Sequence, residues 1–176
     1  MNFASFKEPG GFFLAGSSAQ EECLCMESTL YNVLVQFKKK YYEPNHKALN
    51  KALYKDRALY SPDIVFERDG KMSKVDVITC AAPNKATAQR YQSVSDIENH
   101  AVLLSRLKFL RNIAEENHVD TIILGAWGCG VFGQDPKEVA TLMKNTFKDS
   151  QLKYVILAVP GNDVTAKEFR SVFSTK

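Results

Sequence analysis

The sequence has few cysteines, and they lack the spacing that a structural zinc site needs. Cys23, Cys25, Cys80 and Cys129 form no C-x2-C pair. Cys23 and Cys25 fall in a segment with helical periodicity, where side chains two positions apart point in different directions. The pattern disfavours a metal site, and we expect a function that requires neither a metal nor a cofactor.

Long apolar runs are absent as well. The longest runs end at Leu124 and Val159 and have the length of strands, which is far too short to span a bilayer. Near the amino terminus, Lys7, Glu8 and Pro9 occupy positions where a signal peptide needs an apolar core. We therefore expect a cytoplasmic protein with reduced thiols and no membrane contact.

The sequence also has no strong excess of either charge. It contains 23 Lys and Arg residues and 20 Asp and Glu residues, a formal net charge of +3. Residues 1–88 carry 12 basic and 10 acidic side chains, and residues 89–176 carry 11 and 10. Because neither half is a basic arm, we expect no sequence-specific nucleic-acid partner.

What the sequence does contain is an alternation of helical and strand patterns over 176 residues, enough for one domain with its own core. The patterns predict helices at 19–40, 45–54, 96–117, 136–147 and 165–173, and strands at 60–68, 75–80, 121–124 and 154–159. The residues between 85 and 95 are predicted to form a polar loop. Continuous apolar strands alternating with helices indicate an α/β fold with a parallel or mixed sheet.

Two glycine-containing loops each lead into a predicted helix: the first loop, residues 10–18, and the second loop, residues 125–133. Such loops present N–H groups and the positive end of a helix dipole to phosphate, so two loops suggest two phosphates. The second loop also has the Gly128-x-Gly130-x-x-Gly133 spacing of a dinucleotide site. The strand after it ends in Pro160 instead of the acid that binds ribose. The second loop can therefore be a simple tight turn or a nicotinamide dinucleotide site, and the sequence leaves both interpretations open.

Two adjacent acids begin the first predicted helix. Ser18 and Glu21 have the S-x-x-E spacing of a capping box, which gives Glu21 a structural role that Glu22 lacks. Adjacent helical side chains point about 100° apart, so only one of the two can face a ligand on the first loop. Burial, a second carboxylate and an anionic ligand each raise the pKa of a carboxyl group, whereas the positive end of the helix dipole lowers it. If they dominate, one glutamate holds a proton at neutral pH and can act as a general acid.

Several motifs occur together in a recognisable order. They are NFAS at 2–5, PGG at 9–11, QEE at 20–22, STLY at 28–31, YSPD at 60–63, ITCAAPN at 78–84 and LGAWGCGVF at 124–132. Over nearly its whole length the chain resembles the microbial-type poly(ADP-ribose) glycohydrolases. The resemblance implies a three-layer, macrodomain-like α/β fold with a mixed sheet between helices.

The same resemblance implies a glycosidase that hydrolyses ribose–ribose O-glycosidic bonds and releases ADP-ribose. It makes Glu22 the general acid and base, with Glu21 holding a ribose hydroxyl and Gln20 supporting the first loop. Its other substrate-binding positions are Asn2, Gly10, Gly11, Asn84, Gly128, Cys129, Gly130, Val131 and Phe132. Residues 128–132 would wrap the diphosphate, and Phe132 would pack on the ribose or the adenine. One glutamate suffices chemically, since it can protonate the leaving oxygen and then deprotonate water.

The chain departs from the family pattern in two places. Phe12 stands where the family has a third loop glycine, and Met1 falls at the last residues of a strand that an N-terminal extension precedes in the family. We therefore expect residues 1–176 to be a single catalytic domain without that extension. An unpaired strand edge left in this way favours self-association. The alternative is an ADP-ribose-binding macrodomain module with little or no catalysis.

Overall fold

The structure, a computed structural model, describes residues 1–174. They divide into two compact units, one formed by Met1–Asn50 and Arg57–Ala81, the other by Lys51–Asp56 and the residues from Ala82 onward. Within the described residues, no helix is long and apolar enough to cross a membrane. A single domain over residues 1–176 stays a prediction.

The first unit combines a three-stranded sheet with short helices. Its strands are β1 (Asn2–Phe3), β2 (Leu59–Arg68) and β3 (Lys71–Cys80), and its α-helices are α1 (Gln20–Met26), α2 (Leu30–Leu34) and α3 (Glu43–His46). Short 3-10 turns cover Phe13–Ala15 and Val35–Phe37, and a π-helical segment covers Lys38–Tyr42. In the sheet, β3 lies between β1 and β2, parallel to β1 and antiparallel to β2. The hairpin turns at Asp69 and Gly70, as the sequence predicts.

The prediction of one continuous helix over 19–40 is wrong. Between α1 and α2 the backbone turns outward and bonds to β2, where Thr29 N–H donates to the Val65 carbonyl at 3.0 Å. The Ser28 hydroxyl meanwhile donates to the Leu24 carbonyl at 2.6 Å and accepts from the Leu30 N–H at 3.1 Å. These bonds compete with helix continuation, while the apolar side chains of both segments still enter one core.

The predicted helix at 45–54 is also wrong, because α3 ends at His46. Asn50, Lys51 and Ala52 have positive φ angles of 45°, 53° and 66°, which a right-handed helix does not accept. The weak apolar periodicity of this stretch did not reveal its left-handed backbone.

The second unit contains a two-stranded parallel sheet and four helices. Its elements are α4 (Lys85–Gln92), α5 (Asp96–Glu116), β4 (Thr121–Leu124), α6 (Pro136–Phe147), β5 (Tyr154–Leu157) and α7 (Val164–Phe173). Asp135 caps α6 by accepting the Glu138 N–H at 2.7 Å, as its sequence position predicts. Helix α4 replaces the predicted polar loop, because the Asn84 side chain caps it by accepting the Thr87 N–H at 3.0 Å.

Strand β5 is less buried than its apolar composition predicts. Tyr154, Val155 and Ile156 are all exposed, and the strand ends at Leu157 instead of Val159. The prediction of a buried strand is therefore wrong in this respect. Apolar composition indicates a strand, but it does not show whether a second layer covers each of its faces.

Candidate active site

Glu21 and Glu22 lie in the first turn of α1, and both are buried, at 3% and 5% exposure. The N-cap residue of this helix is Ala19, and no side chain makes a capping bond there. The predicted capping box of Ser18 and Glu21 is therefore wrong. The Glu21 carboxylate is directed instead to donors from the N-terminal segment, which no local spacing indicates.

Both oxygens of Glu21 accept hydrogen bonds. The Asn2 side-chain amide donates to Oε1 at 3.1 Å, and the Ser5 N–H donates to Oε2 at 2.6 Å. Asn2 is itself buried on β1 and also donates to the Thr79 hydroxyl on β3 at 3.3 Å. The carboxylate of Glu21 is thus fixed between α1 and the segment that includes β1.

Burial raises the pKa of Glu21 from 4.5 to about 7. The hydrogen bonds from Ser5 and Asn2 oppose this rise because they favour the ionised form, and the neighbouring charge of Glu22 adds to it. Glu21 therefore changes its protonation state near neutral pH. Of the two acids, it is the one that the structure holds in the most enclosed position.

Glu22 is held by the backbone of the first loop. Its Oε1 accepts the Phe12 N–H at 2.9 Å. Gly11 has a φ of +60°, and a Cβ there would overlap Glu22 Oε1. Gly10 has a φ of +71°, and a Cβ there would lie 2.7 Å from a ring carbon of Tyr31. Gly11 is required for the loop to close on α1, and Gly10 is required for it to pack on Tyr31 of α2.

Three successive N–H groups of the first loop are bonded within the protein. Gly11 donates to the Glu8 carbonyl at 3.2 Å, Phe12 to Glu22, and Phe13 to the Gly10 carbonyl at 3.0 Å. This differs from the expectation that the loop presents these amides to a phosphate. Their acceptors include a carboxylate of the protein itself, that of Glu22.

Gln20 connects α1 to β1. Its Oε1 accepts the Phe3 N–H at 2.7 Å, and its Nε2 donates to the Met1 carbonyl at 2.9 Å. One side chain thus supplies the donor and acceptor that a neighbouring strand would supply. The family resemblance implies support of the first loop, whereas both bonds of Gln20 in the structure support β1.

Neither thiol near the two loops has the properties of a nucleophile. Burial, followed by the charges of Glu21 and Glu22, raises the pKa of Cys25 to about 12. Burial also raises the pKa of Cys129 to about 12, with a smaller contribution from Asp135. Both thiols are therefore neutral near pH 7. Within the part of the chain that the structure describes, no three His, Cys, Asp or Glu side chains gather as metal ligands.

The second loop lies in the second unit and is closely packed at Gly128. Gly128 has a φ of +78°, and a Cβ there would lie 2.8 Å from the Ala82 Cβ and 2.9 Å from the Gln134 Cγ. The Gln134 N–H donates to the Gly128 carbonyl, and Gly133 N–H donates to the Gly130 carbonyl, both at 3.0 Å. These bonds close the loop before α6 begins.

Three successive N–H groups of the second loop are available for a ligand. Those of Gly130, Val131 and Phe132 donate to no acceptor among residues 1–174. Val131 is 92% exposed. The second loop therefore differs from the first, whose N–H groups at Gly11, Phe12 and Phe13 are already bonded, and its donors suit an anion. Trp127, in the same loop, is buried.

Phe132 packs against Tyr54, which the sequence did not mark as a site residue. The two rings are 6.2 Å apart in an edge-on arrangement. Burial raises the pKa of Tyr54, while a hydrogen bond with the Asn84 side chain lowers it. The second unit thus places Asn84, Tyr54 and Phe132 near one another. Tyr54 lies in an irregular turn, and no motif in the sequence distinguishes it.

Comparison with known proteins identifies the family. Residues 1–69 match the model of the microbial-type poly(ADP-ribose) glycohydrolase (PARG) catalytic domain. The crystal structure of PARG from Deinococcus radiodurans in complex with ADP-ribose has a TM-score of 0.89 and 32% identity, covering 98% of this chain and 73% of that one. The chain belongs to the microbial-type PARG family. PARG from Thermomonospora curvata has a TM-score of 0.88 and 32% identity, covering 98% of this chain and 66% of that one.

A second structure of the Thermomonospora curvata PARG, bound to the inhibitor ADP-HPD, has a TM-score of 0.86 and 32% identity. The match covers 98% of this chain and 68% of the Thermomonospora curvata chain. No curated protein sequence matches the chain. These likenesses confirm the predicted family, the macrodomain-like α/β fold and a PARG-like glycosidase. A binding module without catalysis is not favoured, since the matched structures are glycohydrolases.

Several residues that support the site were not predicted from the sequence. They are Ser5 and Thr79 in the first unit, and Tyr54, Asn99 and Gln134 in the second. Gln134 directly follows the GxGxxG pattern, and Ser5 and Thr79 lie within the NFAS and ITCAAPN motifs. The others act through contacts with residues distant in the sequence.

Proposed function

We propose that this PARG cleaves the ribose–ribose bond of ADP-ribose polymers with Glu22 as general acid and base. The observation that carries the proposal is the unequal bonding of the two glutamates. Both oxygens of Glu21 accept bonds from Asn2 and Ser5. Only Oε1 of Glu22 is bonded, to Phe12, and its Oε2 accepts no hydrogen bond from residues 1–174. Glu22 therefore has an oxygen that can exchange a proton with a substrate.

In the proposed reaction, Glu22 donates its proton to the leaving ribose oxygen as the bond from that oxygen to the anomeric carbon breaks. The anomeric carbon becomes oxocarbenium-like. A water then bonds to this carbon and returns a proton to Glu22, which restores the acid. Glu21 is assigned to a ribose hydroxyl, and Asn2 acts through Glu21 by fixing its carboxylate.

We assign the diphosphate of the ligand to the second loop. Its N–H groups at Gly130, Val131 and Phe132 are the donors that support this assignment, because they lack protein acceptors among the described residues. Gly128 and Cys129 shape the turn that presents them. Phe132, packed on Tyr54, offers an apolar face to the ribose or the adenine, and Asn84 lies beside Tyr54.

ADP-ribose is the expected ligand because solved relatives are complexes with ADP-ribose and with ADP-HPD. A ligand at 100 times its dissociation constant stabilises a protein by about 2.7 kcal/mol. The absence of a thermal shift at millimolar ADP-ribose would therefore contradict the proposed ligand. A cytoplasmic location fits the four free cysteines. Self-association through a sheet edge stays a prediction.

The decisive experiment compares Glu22→Gln with Glu21→Gln. We expect Glu22→Gln to lower the release of ADP-ribose from polymer by about 10² or more with little change in ADP-ribose affinity, because the amide keeps the shape but not the acid. Glu21→Gln should weaken stability and binding together, because an amide offers one acceptor where the carboxylate offers two. Equal turnover of wild type and Glu22→Gln would refute the assignment of Glu22.

A further inference from the structure

Phe12 presents an aromatic ring to solvent, and its backbone N–H bonds to the proposed acid. The ring is 70% exposed. The N–H of the same residue is the group that holds Glu22 Oε1, at 2.9 Å. The exposed ring leaves its apolar surface in water. It is therefore available to an apolar group of a ligand that binds at Glu22.

The backbone of Phe12 is fixed on both sides of its side chain. Its N–H is bonded to Glu22, and its carbonyl accepts from Ala15 at 2.9 Å and from Ser17 at 3.3 Å. The next residue, Phe13, packs its ring on Tyr31 with 4.8 Å between centroids. The direction in which the Phe12 side chain leaves the backbone is thus set relative to Glu22. The ring is not on a freely moving loop.

Cleavage divides the substrate at the oxygen that Glu22 protonates. One half is the released ADP-ribose, whose polar groups must be recognised by the protein. The other half is the remaining polymer, which is too long to be enclosed and must extend into solvent. An exposed ring on the residue whose backbone bonds to the acid suits that second half. The flat apolar group in the leaving half is adenine, and adenine stacks well on aromatic side chains.

We propose that Phe12 is a specificity-determining residue whose ring stacks on the adenine of the leaving chain. The proposal rests on the proposed function, and it assigns to Phe12 the discrimination between a leaving group that carries a base and one that does not. The backbone N–H of Phe12 bonds to the acid, and its side chain stacks on the leaving group.

The test uses two substrates that differ only in the leaving group. One is the ADP-ribose dimer, whose leaving half carries adenine, and the other is ADP-ribose with a methyl group on the same anomeric oxygen. The measured quantity is the ratio of kcat/KM for the two substrates. Any effect of a variant on Glu22 itself acts on both substrates and cancels in this ratio.

We expect Phe12→Ala to lower this ratio about tenfold, the usual size of one base–aromatic stack. Phe12→Tyr, which keeps an aromatic ring, should retain the ratio. Leu14→Ala is the matched control, because Leu14 belongs to the same turn and is 81% exposed without bonding to Glu22. An unchanged ratio in Phe12→Ala, or an equal loss in Leu14→Ala, overturns the proposal.

A binding measurement keeps this inference separate from the proposed function. In the Glu22→Gln background, calorimetry with the dimer and with free ADP-ribose needs no turnover. Phe12→Ala should weaken dimer binding about tenfold and leave ADP-ribose binding within about twofold. Equal dimer affinity with and without the ring refutes the role of Phe12 even if the enzyme is active. A wild type that binds ADP-ribose but cleaves neither substrate refutes the proposed catalysis and leaves the binding comparison valid.

Discussion

Asn99 and Gln134 exchange hydrogen bonds through both of their side-chain amides in the interior of the second unit. Asn99 Nδ2 donates to Gln134 Oε1 at 2.9 Å, and Gln134 Nε2 donates to Asn99 Oδ1 at 2.8 Å. Gln134 Nε2 also donates to the Pro83 carbonyl at 2.8 Å, and its backbone N–H holds Gly128. This amide pair ties the second loop to α5 and to the residues before α4.

Replacing Gln134 by leucine should loosen the second loop. The substitution leaves the Asn99 amide and the Pro83 carbonyl buried without partners, and each such group costs about 1 to 3 kcal/mol. We expect lower stability in urea unfolding and weaker ADP-ribose binding by calorimetry. The double variant Asn99→Leu with Gln134→Leu should cost less than the sum of the single changes, because the pair acts as a unit. Additive costs would show that the two amides are energetically independent.

Gly11→Ala should impair catalysis more than Gly16→Ala. Both glycines have positive φ, +60° and +80°, so alanine strains the backbone at either position by about 1 to 2 kcal/mol. At Gly11 the new Cβ also overlaps Glu22 Oε1, whereas nothing lies within 4 Å of a Cβ at Gly16. We expect similar losses of stability from the strain and a loss of polymer cleavage only in Gly11→Ala. Equal cleavage by the two variants would contradict the role of Gly11.

Glu21 should make stability depend on pH. Its folded pKa of about 7 lies above the ordinary value of 4.5, so the folded state binds the proton more tightly. Its contribution is fully present below pH 4.5 and is lost as the pH rises through about 7, a change of about 3 kcal/mol. Urea unfolding of wild type and Glu21→Gln between pH 4.5 and 8 measures it. The unfolding free energy of wild type relative to Glu21→Gln should fall as the pH rises from 4.5 to 8. A difference that stays constant over this range would contradict the prediction.

Gln20→Glu tests the connection between α1 and β1. Glutamate has the same shape and can accept the Phe3 N–H, but when ionised it cannot donate to the Met1 carbonyl. We expect faster hydrogen exchange at Phe3 and Ser5, because β1 is held less firmly, together with lower cleavage of polymer through the loss of support for Glu21. Unchanged exchange at both amides would show that β1 is held without Gln20. Gln89→Glu, a change of the same kind at an exposed helical position of the second unit, is a control.

Local signals predicted the elements whose causes are local. The hairpin of β2 and β3, the long helix α5 and the Asp135 cap of α6 depend on neighbouring residues, and the sequence indicated all three. The break after α1 depends on bonds between Thr29 and Val65, which no periodicity shows. The site residues show the same difference between local and long-range causes. The spacing of Ser18 and Glu21 suggested a local cap, while the real partners of Glu21 are Asn2 and Ser5 in the N-terminal segment.

The hydrogen bond from Phe12 to Glu22 comes from the backbone, and every amino acid except proline carries that N–H. The side chain at position 12 can therefore vary while the acid keeps its donor. Substitutions at position 12 can change the preference for the leaving group while the hydrogen bond to Glu22 is kept. Position 12 is therefore a natural starting point for directed evolution of substrate preference. A proline at this position would remove the donor and the ring in a single step.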